Sequence, residues 1–281
     1  MSDKMVQFLD FDFDSEEEVY QSQKETSTES VYWKAQDGTN LLRIVPPPVA
    51  WSEWFAEQGK KPDPFFVLWK HFFTNPNDPD SYYIAPCPAR MNGGKCPACE
   101  EAKRLGASRD SRDQAMAEEM RPSHRFVVNV VDRSNERGGV KIYEGSYPFR
   151  KFQGKSAYEK IRGLMSGVTR VNLVTPGDKG FDLVITKSGA GREGTSYDFG
   201  ADPRGARPLH DDPAKVSEWI NTQPDLREYV TPPSYEDLAA LLHGAGERPP
   251  SPSNAGAIGA GQDVADPYGG ADSDDEDDLA F

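Results

Sequence analysis

Hydrophobic positions alternate with polar ones over short runs more often than they recur at helical spacing, which predicts a chain built mainly of strands. Leu41-Leu42-Arg43-Ile44-Val45 follows the turn Asp37-Gly38-Thr39-Asn40 and is stopped by Pro46-Pro47-Pro48. Residues 65–73 form a dense aromatic strand whose alternation sends its rings to two opposite faces. Residues 125–131 alternate next, and the turn over 135–139 leads into 140–143, the clearest hairpin in the chain. Strands are also predicted over 171–174, 181–186 and 195–199, with a glycine-rich hairpin loop over 188–194. Helical character is confined to a few stretches. Residues 100–120 are rich in Ala, Glu, Arg and Met, 155–165 place Tyr158, Ile161, Leu164 and Met165 on one face, and 213–221 and 235–243 are short.

Polarity then separates the folded part from the ends. The hydrophobic fraction of 36% is low for a wholly packed chain of 281 residues. The formal charge of −14 is also unevenly spread: residues 1–30 carry −7 and residues 250–281 carry −8, leaving +1 for 31–249. The acidity therefore excludes nucleic acid only for the ends. Residues 1–30 read as an acidic arm whose Phe8, Leu9, Phe11 and Phe13 either dock on a partner or neighbouring copy, or belong to a disordered leader. Residues 31–243 hold the folded core, and 244–281 are a Gly/Pro/Ser/Ala-rich linker with an acidic tail. No apolar run approaches membrane-spanning length and the start lacks a secretion signal, so a soluble intracellular protein is expected, with no membrane partner.

All three cysteines fall within one stretch. Cys96-Pro97-Ala98-Cys99 can offer two thiolates from one turn, and Cys87 and His71 can complete a tetrahedron; His124 is a second histidine that folding could bring to the site. Such a donor set describes one closed structural Zn2+ ion rather than a catalytic one, which would keep a position open for water. The expected fold is mainly β (α+β): a barrel of the oligonucleotide/oligosaccharide-binding type with an inserted zinc subdomain over about 65–120, a β-sandwich being the other arrangement.

Single-stranded nucleic acid requires cations to track phosphates and rings on which bases stack. Residues 121–170 hold eleven Lys/Arg against four Asp/Glu, interleaved with rings. The candidate DNA-binding residues there are Arg125, Arg133, Arg137, Lys141, Tyr143, Tyr147, Phe149, Arg150, Lys151, Phe152 and Lys155. The tail ends Asp274-Asp275-Glu276-Asp277-Asp278-Leu279-Ala280-Phe281, and its charges, with Leu279 and Phe281, suit capture by a basic pocket on a partner or by the protein's own cationic groove.

The opening over 33–46, the aromatic run into His71, Tyr82-Tyr83-Ile84 before Cys87, the Cys-x-x-Cys turn and the segments 180–186 and 196–198 together resemble the helix-destabilising single-stranded-DNA-binding proteins of T-even-type bacteriophages. The resemblance spans roughly residues 31–200 plus the acidic tail. It implies a zinc-bearing oligonucleotide-binding barrel that coats single-stranded DNA in phage replication, recombination and repair, in the cytoplasm of the bacterial host. It also implies tail contacts to replication and recombination proteins such as polymerase, helicase/primase or its loader, and a recombinase mediator. It places Tyr197 at the border of the DNA cleft. This chain departs from the family at its start, which is acidic where the family has a short basic arm for cooperative self-association, and in a longer spacing from His71 to Cys87.

Two other readings compete. A zinc-dependent nuclease would need carboxylates or histidines beside the metal ligands to activate water, and no such motif is present; no phosphate-binding loop of the Walker type occurs either. A zinc-stabilised adaptor of the replication or transcription machinery would not need the basic, ring-bearing segment. The expected protein is therefore a non-enzymatic coat for single strands.

Overall fold

The computed structural model describes residues 30–75, 78–148, 155–167 and 170–242, and those from Val31 onward belong to one compact unit. β1 (Gly38–Ile44) is followed by α1 (Ser52–Glu57), then by the antiparallel hairpin of β2 (Phe66–Asn75) and β3 (Asp78–Pro86). Three helices come next: α2 (Pro88–Met91), α3 (Pro97–Gly106) and α4 (Ser111–Met120). β4 (Ser123–Asp132) and β5 (Val140–Ser146) form the predicted hairpin, and α5 (Ala157–Ser166) packs behind it. β6 (Leu183–Ser188), the one-turn α6 (Gly191–Gly194) and β7 (Ser196–Ala201) form another hairpin, and α7 (Pro213–Thr222), α8 (Leu226–Val230) and α9 (Tyr235–Leu242) end the described chain. No described helix is long and apolar enough to cross a membrane.

β4 organises the sheet. β5 pairs along most of one edge, while the other edge is divided: its first half pairs with β2 and its second half with β1. The order is β3-β2-β4-β1-β6-β7, with β5 on β4, and every pairing between these strands is antiparallel. The chain before β1 adds an isolated parallel bridge, Tyr32 to Ile142, on the outer edge of β5. Among the described residues no pairing closes the sheet, so the architecture is mixed α+β around an open, mostly antiparallel sheet. The expected strand over 171–174 does not form. The Asn172 side chain accepts from the amides of Val174 and Thr175 (3.1 and 2.9 Å), a local turn that competes with a ladder, while Leu173 remains fully buried.

Both faces of the sheet are covered, which is why β4 reads Phe126-Val127-Val128-Asn129-Val130-Val131 with every residue buried. One face holds Leu42, Ile44, Phe126, Val128, Val130, Leu183 and Ile185 beneath Ile161 of α5. Helix α5 starts at a capping box: Ser156 Oγ accepts from the Glu159 amide and Glu159 reaches back to the Ser156 amide (3.2 and 2.9 Å). Gly145 lies opposite Phe126, and a Cβ there would meet the ring at 2.4 Å, so glycine gives that ring its space. The other face holds Trp51, Phe55, Phe66, Leu68 and Val127 beneath Leu226 and Val230 of α8. A buried side-chain pair, Asn129 Nδ2 donating to Gln223 Oε1 (2.7 Å), fastens the C-terminal helices to the middle of β4.

Candidate metal centre and nucleic-acid interface

Four side chains meet at the end of the β2–β3 hairpin. His71 comes from β2, Cys87 from the residue after β3, Cys96 from the cap of α3 and Cys99 from its first turn. Each cysteine cap precedes a proline, Pro88 or Pro97, whose fixed φ starts a helix where the missing N–H costs nothing. The Cys96 and Cys99 sulfurs lie 3.3 and 3.6 Å from His71 Nε2, Cys87 and Cys99 sulfurs are 3.5 Å apart, and all four ligand atoms lie within 4.8 Å of one another. A tetrahedron with Zn–S bonds of about 2.3 Å has edges of roughly 3.8 Å, so the cluster has the size of a zinc site.

The donor chemistry also fits a dication. The Met120 carbonyl can only accept, so His71 Nδ1 carries a proton (2.8 Å) and Nε2 is the ring atom left to face the sulfurs. Burial alone would lower the His71 pKa, but hydrogen bonds to Cys87 and Cys96 override it and hold it up at about 9. Hydrogen bonds with Cys87 and Cys99 push the Cys96 thiol far down, and hydrogen bonds with Cys87 and Cys96 push Cys99 far up: one thiolate in the cluster prevents the next. A bound divalent cation removes that conflict. His71, Cys87, Cys96 and Cys99 could therefore hold a metal ion, whose chemistry there would be structural. The surrounding apolar cluster is small, Phe73, Ala85, Ala98, Leu238 and Leu241 being its other buried members, so an ion would supply cohesion that the packing lacks.

On the same side of β2, two residues before His71, a row of rings crosses the sheet. Trp69 pairs with His124 across the β2–β4 ladder, and their rings stack at 4.0 Å with planes 9° apart. His124 meets Tyr147, just past the end of β5, at 4.3 Å, and Tyr147 meets Tyr158 of α5 at 4.4 Å. All four rings are half-buried. Guanidinium groups stand at both ends: Arg90 of α2 lies 5.4 Å over Trp69, and Arg162 of α5 lies 4.5 Å over Phe65 and 5.2 Å over Tyr158. Burial lowers the His124 pKa, as does Arg125, while the Pro148 carbonyl opposes the shift. His124 thus belongs to this row, and His71 is the histidine of the metal cluster.

The residues expected to bind DNA divide sharply. Tyr147 is in the row, and Lys155 is exposed immediately before α5. Tyr197 on β7 is half-buried against the α5 side of the core, and its carbonyl accepts from Lys160 (2.8 Å). Arg125 lies next to Glu144, which also holds buried Lys70 (3.6 and 2.6 Å). Lys141 is half-buried on β5, and Arg137 is exposed at the tip of the β4–β5 hairpin, roughly 30 Å from the rings at about 3.4 Å per strand residue.

Tyr143 and Arg133 instead belong to the interior. The Tyr143 ring packs edge-on against Trp33 and Phe126 at 5.5 and 5.7 Å, so no face is available to a base. Arg133 donates to both carboxylate oxygens of fully buried Asp182 (3.0 Å each), to Glu136 (2.8 Å) and to the carbonyls of Pro208 and Leu209. Phe149, Arg150, Lys151, Phe152 and the tail residues 274–281 lie outside the described residues. Sequence reading missed Trp69, Arg90, His124, Tyr158 and Arg162 as one group. The available signal was alternation in residues 65–73, which places Trp69 and His71 on one face; the cross-strand register that adds His124 and Tyr147 was not available.

The structure thus joins a His/Cys cluster that could hold a metal ion to a guanidinium-capped row of half-buried rings on one sheet. The family model described as "gp32 DNA binding protein like" matches residues 36–246, and the chain belongs to this family of DNA-binding proteins. No curated protein matches the chain.

Proposed function

We propose that the protein binds and coats single-stranded DNA, with the row Trp69–His124–Tyr147–Tyr158 as the centre of its contact surface. That row carries the reading. Trp69 and His124 are already stacked, and Tyr147 and Tyr158 continue the row at 4.3 and 4.4 Å with planes tilted by 50° and 42°, so unpaired bases meet pre-ordered rings with little further ordering of the protein. A duplex hides its base faces, which makes such a surface selective for single strands. Arg90, Arg162 and Lys155 supply cations beside it, and Phe149, Arg150, Lys151 and Phe152 are proposed as DNA contacts on their chemistry alone; Tyr197 contributes at its margin and Lys141 and Arg137 farther off, while Arg125 faces the other side of β4 with Glu144. The arrangement is read as an oligonucleotide-binding barrel variant, with Zn2+ at His71, Cys87, Cys96 and Cys99 holding the wall that carries Arg90.

The acidic tail, from Asp274 to Asp278 with Leu279 and Phe281, recruits the replication and recombination proteins of a bacteriophage in the bacterial cytoplasm, and its charges compete with DNA for the same cations. Titrating tryptophan fluorescence with a single-stranded oligonucleotide and a matched duplex across salt tests the reading. Tight, salt-dependent binding to the single strand and much weaker binding to duplex is the expected result, with tighter binding when the tail is deleted. Failure to bind the single strand, with zinc present and with or without the tail, would leave the adaptor as the better account.

A further inference from the structure

Arg162 differs from the other ion-paired arginines near the sheet in what holds it. It emerges from α5 at the end of the ring row, lies over two rings, and donates its Nε–H to Tyr158 Oη (3.1 Å). Its Nη2 group is ion-paired with Asp63 Oδ2, and both side chains remain open to water, 30% and 40% exposed. Asp63 is not placed by chance. Its Oδ1 accepts the Phe65 amide (3.0 Å), so the backbone entering β2 aims the second oxygen at the guanidinium. The Arg43, Arg133 and Arg207 guanidiniums, by contrast, converge on a carboxylate with no exposure at all.

A carboxylate held at the tip of an exposed, ring-stacked guanidinium occupies the position where a phosphate oxygen would bind. We propose that Arg162 is a phosphate-binding residue of the strand site, and that Asp63 is its resident competitor, displaced when DNA binds. This rests on the single-stranded-DNA reading of the ring row. The stacking on Phe65 and Tyr158 keeps the guanidinium in position during the exchange. The Phe65 amide keeps Asp63 nearby to reclaim it when the strand leaves, so the pair lowers affinity in return for ready release. Screening by salt acts on both partners of the exchange, but only the phosphate brings condensed counterions to release.

The experiment measures binding of a fluorescein-labelled oligothymidylate by anisotropy, over a range of salt, for the full-length protein, Asp63→Asn, Arg162→Gln and the double variant. Asparagine keeps the acceptor for the Phe65 amide and removes only the charge. Asp63→Asn should bind about threefold tighter. Arg162→Gln should bind about fivefold weaker, with a salt slope smaller by about 0.7, the value for one phosphate on a single strand. In the Arg162→Gln background Asp63→Asn should change nothing, because the competitor has lost its target. Equal tightening by Asp63→Asn in both backgrounds would reveal a general charge effect and overturn the proposal, as would an Arg162→Gln protein that binds like wild type. Wild-type protein that does not bind the oligonucleotide would overturn the functional reading itself, and this inference with it. Unchanged thermal melting and zinc content show that each variant is folded.

Discussion

Arginine performs two different tasks in this molecule. Around Asp182, Arg43 and Arg133 are almost sealed from water, and with Arg207 they bind one carboxylate and the carbonyls of Thr175, Pro208 and Leu209. Burial pulls the Arg43 guanidinium down to about 10, partly offset by Asp182, and Gly180 leaves room for it, since a Cβ there would sit 1.7 Å from Nη2. This cluster clamps the segments near 175 and 208 onto β1 and β4. At the ring row, Arg90 and Arg162 lie over aromatic faces at the surface, where a guanidinium can exchange partners. A cation is functional where its partner can be displaced by a ligand and structural where desolvation fixes that partner. Net charge along the sequence counts both alike.

The largest effect should come from breaking the buried side of this contrast. Asp182→Asn would leave three guanidiniums sharing a neutral group, and should cost about 3 to 5 kcal/mol in urea unfolding while oligonucleotide affinity per folded molecule stays near wild type. Metal removal comes next. Cys96→Ser or a strong chelator should release one equivalent of zinc and lower stability by about 3 kcal/mol, seen as lost helical signal and a lower Tm, and it should weaken oligonucleotide binding because α2 carries Arg90.

Trp69→Ala tests the exposed side. It should weaken single-strand binding by about 1 to 3 kcal/mol, the usual range for one stacking ring, with a smaller loss of stability. Equal losses in both measurements would place Trp69 with the core instead.

The smallest effect is in pH dependence. The folded His124 pKa lies below that of the unfolded chain, about 6.5, so between the two values the unfolded state binds more protons and stability falls as pH drops. Comparing wild type with His124→Asn from pH 7.5 to 5.5 should show a shallower decline in the variant. The metal site is common to both proteins and cancels in the difference.

Several features were legible because they are local. Cys96-Pro97-Ala98-Cys99 offers two candidate metal ligands within four residues, and the hairpin 125–143 and the helix over 155–165 follow from alternation, turn chemistry and one-faced apolar spacing. The strand expected over 171–174 failed for an equally local reason, the side chain of Asn172. The fourth ligand was only partly legible. His71 and His124 were both eligible by type, and the stacking of His124 on Trp69, with the tilted ring of Tyr147 beside it, separated them.

The sequence by itself determined most of the strands, where the candidate metal ligands cluster and where the acidity resides, since each depends on neighbours a few positions apart. The tertiary structure alone decided which cations face water and which rings share a row. Trp69, His124, Tyr147 and Tyr158 are aligned by the register of three strands and the docking of one helix. Arg133 and Tyr143, within the same basic, aromatic stretch, were carried into the interior. Register and burial are properties of long-range pairing, and a one-residue slip sends every side chain to the opposite face, so they are fixed only when the sheet is assembled.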